Sequence, residues 1–252
     1  MLTDIDKLQA LALAAAAEVA QKLRVGGDRT VNLLSASDVK LQADVDSERT
    51  ARAALAPSGL PVIGEEMGGE AALFEGDGLY WVVDPLDGTY NYLREQPATC
   101  VSIGLMRGSE PVGGVVHDFC TGRVYAGVVG RGVFLNGAAV SPRWAAVPEE
   151  GCLMTGFPAL AEKSVEALER LARHARVFKK VRMIGSAALA VAYVGMGMAD
   201  VYYEDGTNLW DVAAGLALVK AAGGVFDLRA SGKRPLNFNL RVAGRREWLD
   251  AL

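Results

Sequence analysis

Few of the residues that most often announce a function are present in this chain: 252 residues hold 3 cysteines, 2 histidines and 7% aromatics. Cys100, Cys120 and Cys152 are odd in number and widely spaced. That pattern excludes a disulfide framework and a zinc site, and fits reduced, mostly buried thiols. No apolar run is long enough to span a bilayer. The longest, Leu8 to Val19, is interrupted by Gln9 and Glu18 and led by Asp4 and Asp6, so it reads as an amphipathic surface helix. Acids also stand where a signal peptide carries its basic n-region, which makes the cytoplasm the expected location. Basic clusters are missing, and 26 Lys and Arg against 30 Asp and Glu give a formal net charge of −4. Nucleic acid and anionic membranes are therefore not expected partners.

Several phosphate-handling signatures are absent as well. There is no P-loop. A cysteine phosphatase needs arginine six residues after its nucleophile, where Met106, Ala126 and Pro158 stand instead. A histidine phosphatase needs histidine between arginine and glycine, whereas His174 lies between Arg173 and Ala175. His174 reads as a helix-end cation and His117 as a sheet residue with a satisfied hydrogen bond.

What is present is concentrated in Trp81-Val82-Val83-Asp84-Pro85-Leu86-Asp87-Gly88-Thr89. Leu79 to Val83 reads as a short buried strand, and Pro85 predicts a turn directly after Asp84. Asp87 then returns beside Asp84. Two carboxylates so close repel unless a cation lies between them, and hard divalent ions such as Mg²⁺ take oxygen ligands. Gly88 and Thr89 follow with backbone N–H groups at the start of a short helix, an arrangement suited to a phosphoryl group. The bland alternative is an ordinary Asp-Gly turn. Haloacid-dehalogenase phosphatases separate their two aspartates by one residue; here Pro85 and Leu86 both intervene, which changes the face occupied by the second acid.

Along the chain, a first helix is expected to about Leu23, with Leu8, Leu11, Ala15, Val19 and Leu23 inward, and a second from Asp44 to about Leu55. Short runs at 61–63, 79–83, 99–106, 112–116 and 123–129 then predict a largely antiparallel sheet. Gly130-Arg131-Gly132 and Asn136-Gly137 read as hairpin punctuation. Beyond Pro148 the pattern predicts a helix over 162–174 with Val165, Leu168, Leu171 and Ala172 inward, a strand over 176–183 and a helix capped by Ser186 to about Met198. A strand over 201–203 and a last helix over 210–222 close it. The layered order implies an N-terminal α+β subdomain over 1–147 and a C-terminal α/β subdomain over 148–252.

Three further acidic clusters could complete the Asp84/Asp87 corner. They are Gly64-Glu65-Glu66 after an apolar run, Asp38 to Asp44, and Trp210-Asp211 in the first turn of a helix. Each has an ordinary reading: a surface turn, a helix cap and a dipole-favoured acid. Together with Asn91-Tyr92, Ser102-Ile103-Gly104, Phe134 to Gly137, Thr155 to Pro158, Gly185 to Leu189, Ala199-Asp200 and Trp210 to Gly215, and in this order, the chain resembles the inositol monophosphatase family. That family belongs to the Mg²⁺-dependent, lithium-sensitive phosphomonoesterases, with the fructose-1,6-bisphosphatases.

The resemblance implies a layered αβαβα sandwich and hydrolysis of a small phosphorylated substrate, inositol monophosphate first, by water activated on two or three Mg²⁺ ions. Metal ligands would be Glu65, Asp84, the Leu86 carbonyl, Asp87 and Asp211. Asp44, Glu65 and Thr89 would be catalytic, Thr89 paired with Asp44. Gly88, Thr89, Ser186, Glu204 and Asp211 would bind substrate, and a homodimer is implied. Departures from the family pattern are Leu33 and Leu41, where lysine and threonine are common, which leaves a third ion open, and Asn208 in place of a histidine. Fructose 1,6-bisphosphate, histidinol phosphate and 3'-phosphoadenosine 5'-phosphate are alternative substrates. A phospho-ligand binder without turnover is the alternative of a different class.

Overall fold

The structure, a computed structural model, describes residues 4–26, 28–34, 39–157 and 164–251. Helix α1 (Ile5–Gly26) is followed by an antiparallel hairpin of β1 (Val31–Leu34) and β2 (Val39–Leu41), which feeds α2 (Gln42–Leu55). Next come β3 (Val62–Gly64), β4 (Leu79–Asp87), the short α3 (Thr89–Leu93), β5 (Cys100–Arg107), β6 (Glu110–Asp118), β7 (Arg123–Val128), β8 (Gly132–Leu135) and β9 (Ala138–Val140). The remainder is β10 (Cys152–Thr155), α4 (Val165–Val177), β11 (Lys180–Arg182), α5 (Ala187–Gly195), β12 (Val201–Asn208), α6 (Leu209–Ala221), β13 (Val225–Ala230) and β14 (Asn237–Ala243).

Strands β3 to β9 form a seven-stranded sheet in sequence order, antiparallel except for the β3/β4 pair. A second, five-stranded sheet runs β11-β10-β12-β14-β13, with β10 parallel to both its neighbours. One face of the first sheet is covered by α1 and α2, whose buried stripe Leu8, Ala12, Ala15, Val19 and Leu23 meets Trp81, Val83, Ile103 and Val115. Helices α5 and α6 lie between the sheets. Ala188, Leu189, Ala214 and Leu218 face Val116 and Tyr125 of the first, while Val191, Val212 and Leu216 face Tyr202, Leu240 and Val242 of the second. Helix α6 is apolar nearly all round because it is covered on two sides. With α4 outside the second sheet, the stack is an αβαβα sandwich.

The close seat of α6 needs a sheet without a side chain beneath it. A Cβ on Gly114 would lie 2.4 Å from the Ala214 carbonyl oxygen. Glycine there lets the helix backbone rest directly on β6.

Four expectations need correction. The chain does not turn directly after Asp84. Strand β4 continues to Asp87, with Asp84 opposite Ser102 and Asp87 opposite Cys100, so the Pro85-Leu86 stretch is a bulge. A proline that cannot donate to the ladder is tolerated at such a point. Second, α4 begins at Val165, capped by Ser164, and its inward face is rotated from the expected one; Glu162 lies outside the described residues. Val165 and Leu168 are 66% and 47% exposed and Ala172 is exposed, while His174 is buried. Arg170 faces inward to Asp205 and the Tyr203 ring, and these contacts set the helix's rotation. Third, the 176–183 strand shrinks to β11, because α4 runs on through Val177. Fourth, His174 is no helix-end cation. Burial, then the Arg170, Arg241 and Arg173 charges, hold its imidazole below the usual range, and its ring lies 4.8 Å from that of Tyr203. His117 is likewise held down by burial, but it keeps the expected hydrogen bond, to the Ala16 backbone, while its Nδ1 has no partner. All three cysteines are free, with Cys100 buried, Cys152 half-buried and Cys120 exposed.

Candidate active site

Four elements deliver five acidic side chains to one place. Glu65 follows β3, Asp84 and Asp87 end β4, Asp44 lies in the first turn of α2 and Asp211 in the first turn of α6. Carboxylate oxygens of Glu65, Asp84 and Asp211 all lie within 4.8 Å of one another, and this is the one such group among the described residues. Burial and mutual repulsion push their acidities the same way. Glu65 and Asp84 are held well above the ordinary carboxylate range by burial first, then by the Asp211 charge on Glu65 and the Glu65, Asp87 and Asp211 charges on Asp84. Asp211 rises to about 7 through burial and the neighbouring Asp87. Asp211 Oδ2 also accepts the Asn208 N–H at 2.9 Å and the Thr207 hydroxyl at 3.2 Å, which fixes its direction.

Asp87 borders the group. Its Oδ2 accepts the Ser186 hydroxyl, the Ala188 N–H at 3.0 Å and the Cys100 thiol at 3.6 Å. Ser186 is buried, caps α5 by accepting the Leu189 N–H at 3.3 Å, and so holds Asp87 against that helix. Leu86 is buried and its carbonyl oxygen lies 3.1 Å from Thr89 Oγ.

Thr89 is the first residue of α3, behind Gly88 at φ +89°, where an added Cβ would meet the Ala98 carbonyl at 2.6 Å. Its hydroxyl donates to Asp44 Oδ1 at 3.3 Å, while Asp44 Oδ2 takes the Leu41 N–H at 2.5 Å. Burial raises the Asp44 carboxyl to about 7, so it can exchange a proton near neutrality. Glu204, on β12, is buried and accepts the Tyr202 hydroxyl at 2.5 Å. Burial, with the Asp211 and Asp87 charges, brings it to about 8.

The sequence reading overlooked the supports of this cluster. The turn bearing Glu65 is clamped by Glu48, a fully buried carboxylate on α2 that accepts the Glu66 N–H at 2.6 Å and the Met67 N–H at 3.2 Å. Arg52, one turn on, pairs with Glu48 at 2.7 Å, and that i,i+4 spacing was a readable signal. A Cβ on Gly64 would lie 2.1 Å from the Glu48 carboxylate, so a larger residue there would displace the clamp. The Asn91 amide donates to the carbonyls of Ala98 at 3.0 Å and Ile184 at 2.8 Å, tying α3 to the segment that carries Ser186. Lys40, whose Nζ donates to Glu66 at 2.5 Å, had no local signal, since its partner lies on a different element.

Comparison with known proteins gives a consistent picture. The sequence profile of the inositol monophosphatase family matches residues 2–251. An inositol-1-monophosphatase of Mycobacterium bovis is 38% identical over 218 residues, covering 82% of this chain and 75% of that protein. A Nus factor SuhB of Xylella fastidiosa is 38% identical over 162 residues, 63% of this chain and 58% of that relative, so this match spans less than two thirds of its length. Among solved structures, the extragenic suppressor protein suhB of Bartonella henselae superposes with a TM-score of 0.84 at 27% identity, covering 97% of both chains. Architecture, acidic cluster and full-length profile agree: the chain belongs to the inositol monophosphatase family.

Proposed function

We propose that the chain is a Mg²⁺-dependent phosphatase that hydrolyses small phosphomonoesters, inositol monophosphate being the leading substrate. The observation that carries this reading is the convergence of Glu65, Asp84 and Asp211 within 4.8 Å. The donor set is all oxygen, three carboxylates repel one another there, and the buried Asp84 with half-buried Glu65 and Asp211 leaves little water to screen them, so the group fits a hard divalent cation. Glu65, Asp84, Asp87 and Asp211, with the Leu86 carbonyl, would hold the Mg²⁺ ions. When bound, the ions supply acidification of water and neutralisation of charge on the phosphate and leaving oxygen.

The chain's own groups do the rest. Thr89 Oγ receives a proton from the attacking water and passes its own to Asp44 Oδ1, 3.3 Å away. The Gly88 and Thr89 amides bind phosphate oxygens and fix the phosphorus in line with that water. Glu204, held by Tyr202, accepts hydroxyls of the substrate's alcohol part. Ser186 orients Asp87 with its hydroxyl, and the Gly185-Ser186 segment lines the same substrate pocket. A homodimeric assembly, which rests on the family resemblance, and a cytoplasmic location belong to the same reading.

Presence of the Asp44–Thr89 pair favours an enzyme over a binder without turnover, because binding alone has no use for a proton acceptor beside the phosphate site. Phosphate release from a panel of inositol monophosphate, fructose 1,6-bisphosphate, histidinol phosphate and 3'-phosphoadenosine 5'-phosphate with Mg²⁺ tests it. Turnover is expected, fastest on inositol monophosphate. Retained Mg²⁺-dependent binding with no release from any member would overturn the enzymatic reading.

A further inference from the structure

Glu65 faces two ways. One side of its carboxylate belongs to the cluster with Asp84 and Asp211; the other stands 3.7 Å from Lys40 Nζ, which also donates to Glu66 Oε1 at 2.5 Å. Lys40 is held where it is from both sides. Strand β2 carries it directly into α2, whose Asp44 accepts the Leu41 N–H, and the Glu65-Glu66 turn is clamped by Glu48 and Arg52. The Glu66 side chain is only 8% exposed, so its charge is compensated chiefly by this ammonium. Lys40 also lies close enough to oppose the upward push on both Glu65 and Asp44. Leu41, fully buried next to it, contributes no oxygen ligand.

We propose that Lys40 is a built-in cation of the carboxylate site. Its ammonium occupies the Glu65–Glu66 side, so no divalent ion binds there, and the ions are confined to the flank of Glu65 shared with Asp84 and Asp211. This inference rests on the metal reading above. A fixed unit charge a few ångströms from a divalent ion suppresses its binding more than about tenfold at the effective dielectric of such sites. Lys40 is thus a positioning residue for the metals rather than a group that touches substrate.

Isothermal titration of the metal-free protein with Mg²⁺ alone tests the idea on wild type, Lys40→Gln and Lys40→Arg. Glutamine deletes the charge and leaves a shorter, neutral hydrogen-bond donor on the Glu66 side. Lys40→Gln is expected to bind one more Mg²⁺ per chain, or to bind its weakest ion at least about tenfold more tightly, while Lys40→Arg reproduces the wild-type isotherm. A Lys40→Gln isotherm that superimposes on the wild-type one overturns the proposal, as does an equal gain in Lys40→Arg. Circular dichroism checks folding, and Lys40→Met replaces Lys40→Gln should the latter not fold. A wild-type chain that binds no Mg²⁺ sinks the metal reading itself; wild-type binding with an unchanged Lys40→Gln isotherm sinks only the role of Lys40.

Discussion

Asp84 feels three neighbouring carboxylates, Glu65, Asp87 and Asp211, in a buried setting. Without a cation, that proximity opposes folding; with one, it binds. Asp84→Asn is therefore expected to raise the melting temperature of the metal-free protein by about 2–4 °C for each kcal/mol of repulsion removed, and to abolish the Mg²⁺-induced rise seen in wild type. Thermal denaturation in EDTA and in Mg²⁺ measures both, and a lower Tm in EDTA would count against the repulsion. Asp44 acts differently, because it takes a proton. Its carboxyl must be ionised to do so, so kcat is expected to climb with pH through a limb at or below about 7. Asp44→Asn should lose that limb and about 10²-fold or more in kcat, read from a pH–rate profile at saturating Mg²⁺. At this scale the Asp84-Asp87-Gly88-Thr89 corner was legible in the residues themselves, and the family resemblance joined Asp44, Glu65 and Asp211 to it. Lys40 and Glu48 escaped it because their partners lie on other elements, Glu66 for one and the Glu66 and Met67 amides for the other.

Elements were read best where one side chain decides an end. Ser186 caps α5 as its spacing implied, and Asn136 and Gly137, at φ +49° and +80°, turn β8 into β9. Reading failed where an element's environment is set by another layer. The α4 stripe of Val165, Leu168 and Ala172 has helical spacing, yet periodicity carries no information about which face meets the second sheet; Arg170 and His174 won that face. Strands β13 and β14 were overlooked because Asp227, Arg229 and Arg241 interrupt any clean alternation, and much of β13 is half-buried. The seat of α6 offers the sharpest test of an element. Gly114→Val must push α6 off β6, since even a Cβ lies 2.4 Å from Ala214. A loss of about 1–3 kcal/mol is expected from such overpacking, seen as a lower urea midpoint. Because α6 carries Asp211, Mg²⁺ affinity should fall with it; an unchanged midpoint would refute the packing account.

For the whole molecule, the site draws on both sheets: Asp84 and Asp87 lie on the first, Glu204 on the second, and Asp211 on the helix between them. Metal, packing and pH are therefore coupled. The site carboxyls have folded-state pKa values raised by burial and repulsion, so the folded chain holds their protons more tightly than the unfolded one. The stability they contribute in the metal-free protein is full below about pH 4 and is lost as pH rises through the folded value, about 7 for Asp211. Metal-free protein is thus expected to melt at lower temperature at pH 8 than at pH 6, with Mg²⁺ closing the gap; calorimetry at the two pH values reads this, and an unchanged Tm would contradict it. The central claim is that the carboxylates meeting at Asp84 hold the Mg²⁺ on which phosphate hydrolysis depends. Its most direct test is phosphate release from inositol monophosphate by wild type and Asp84→Asn, each with Mg²⁺ and with EDTA. Release by wild type in Mg²⁺ and in no other condition is the predicted result, and equal release in EDTA, or near-normal release by Asp84→Asn, would contradict it.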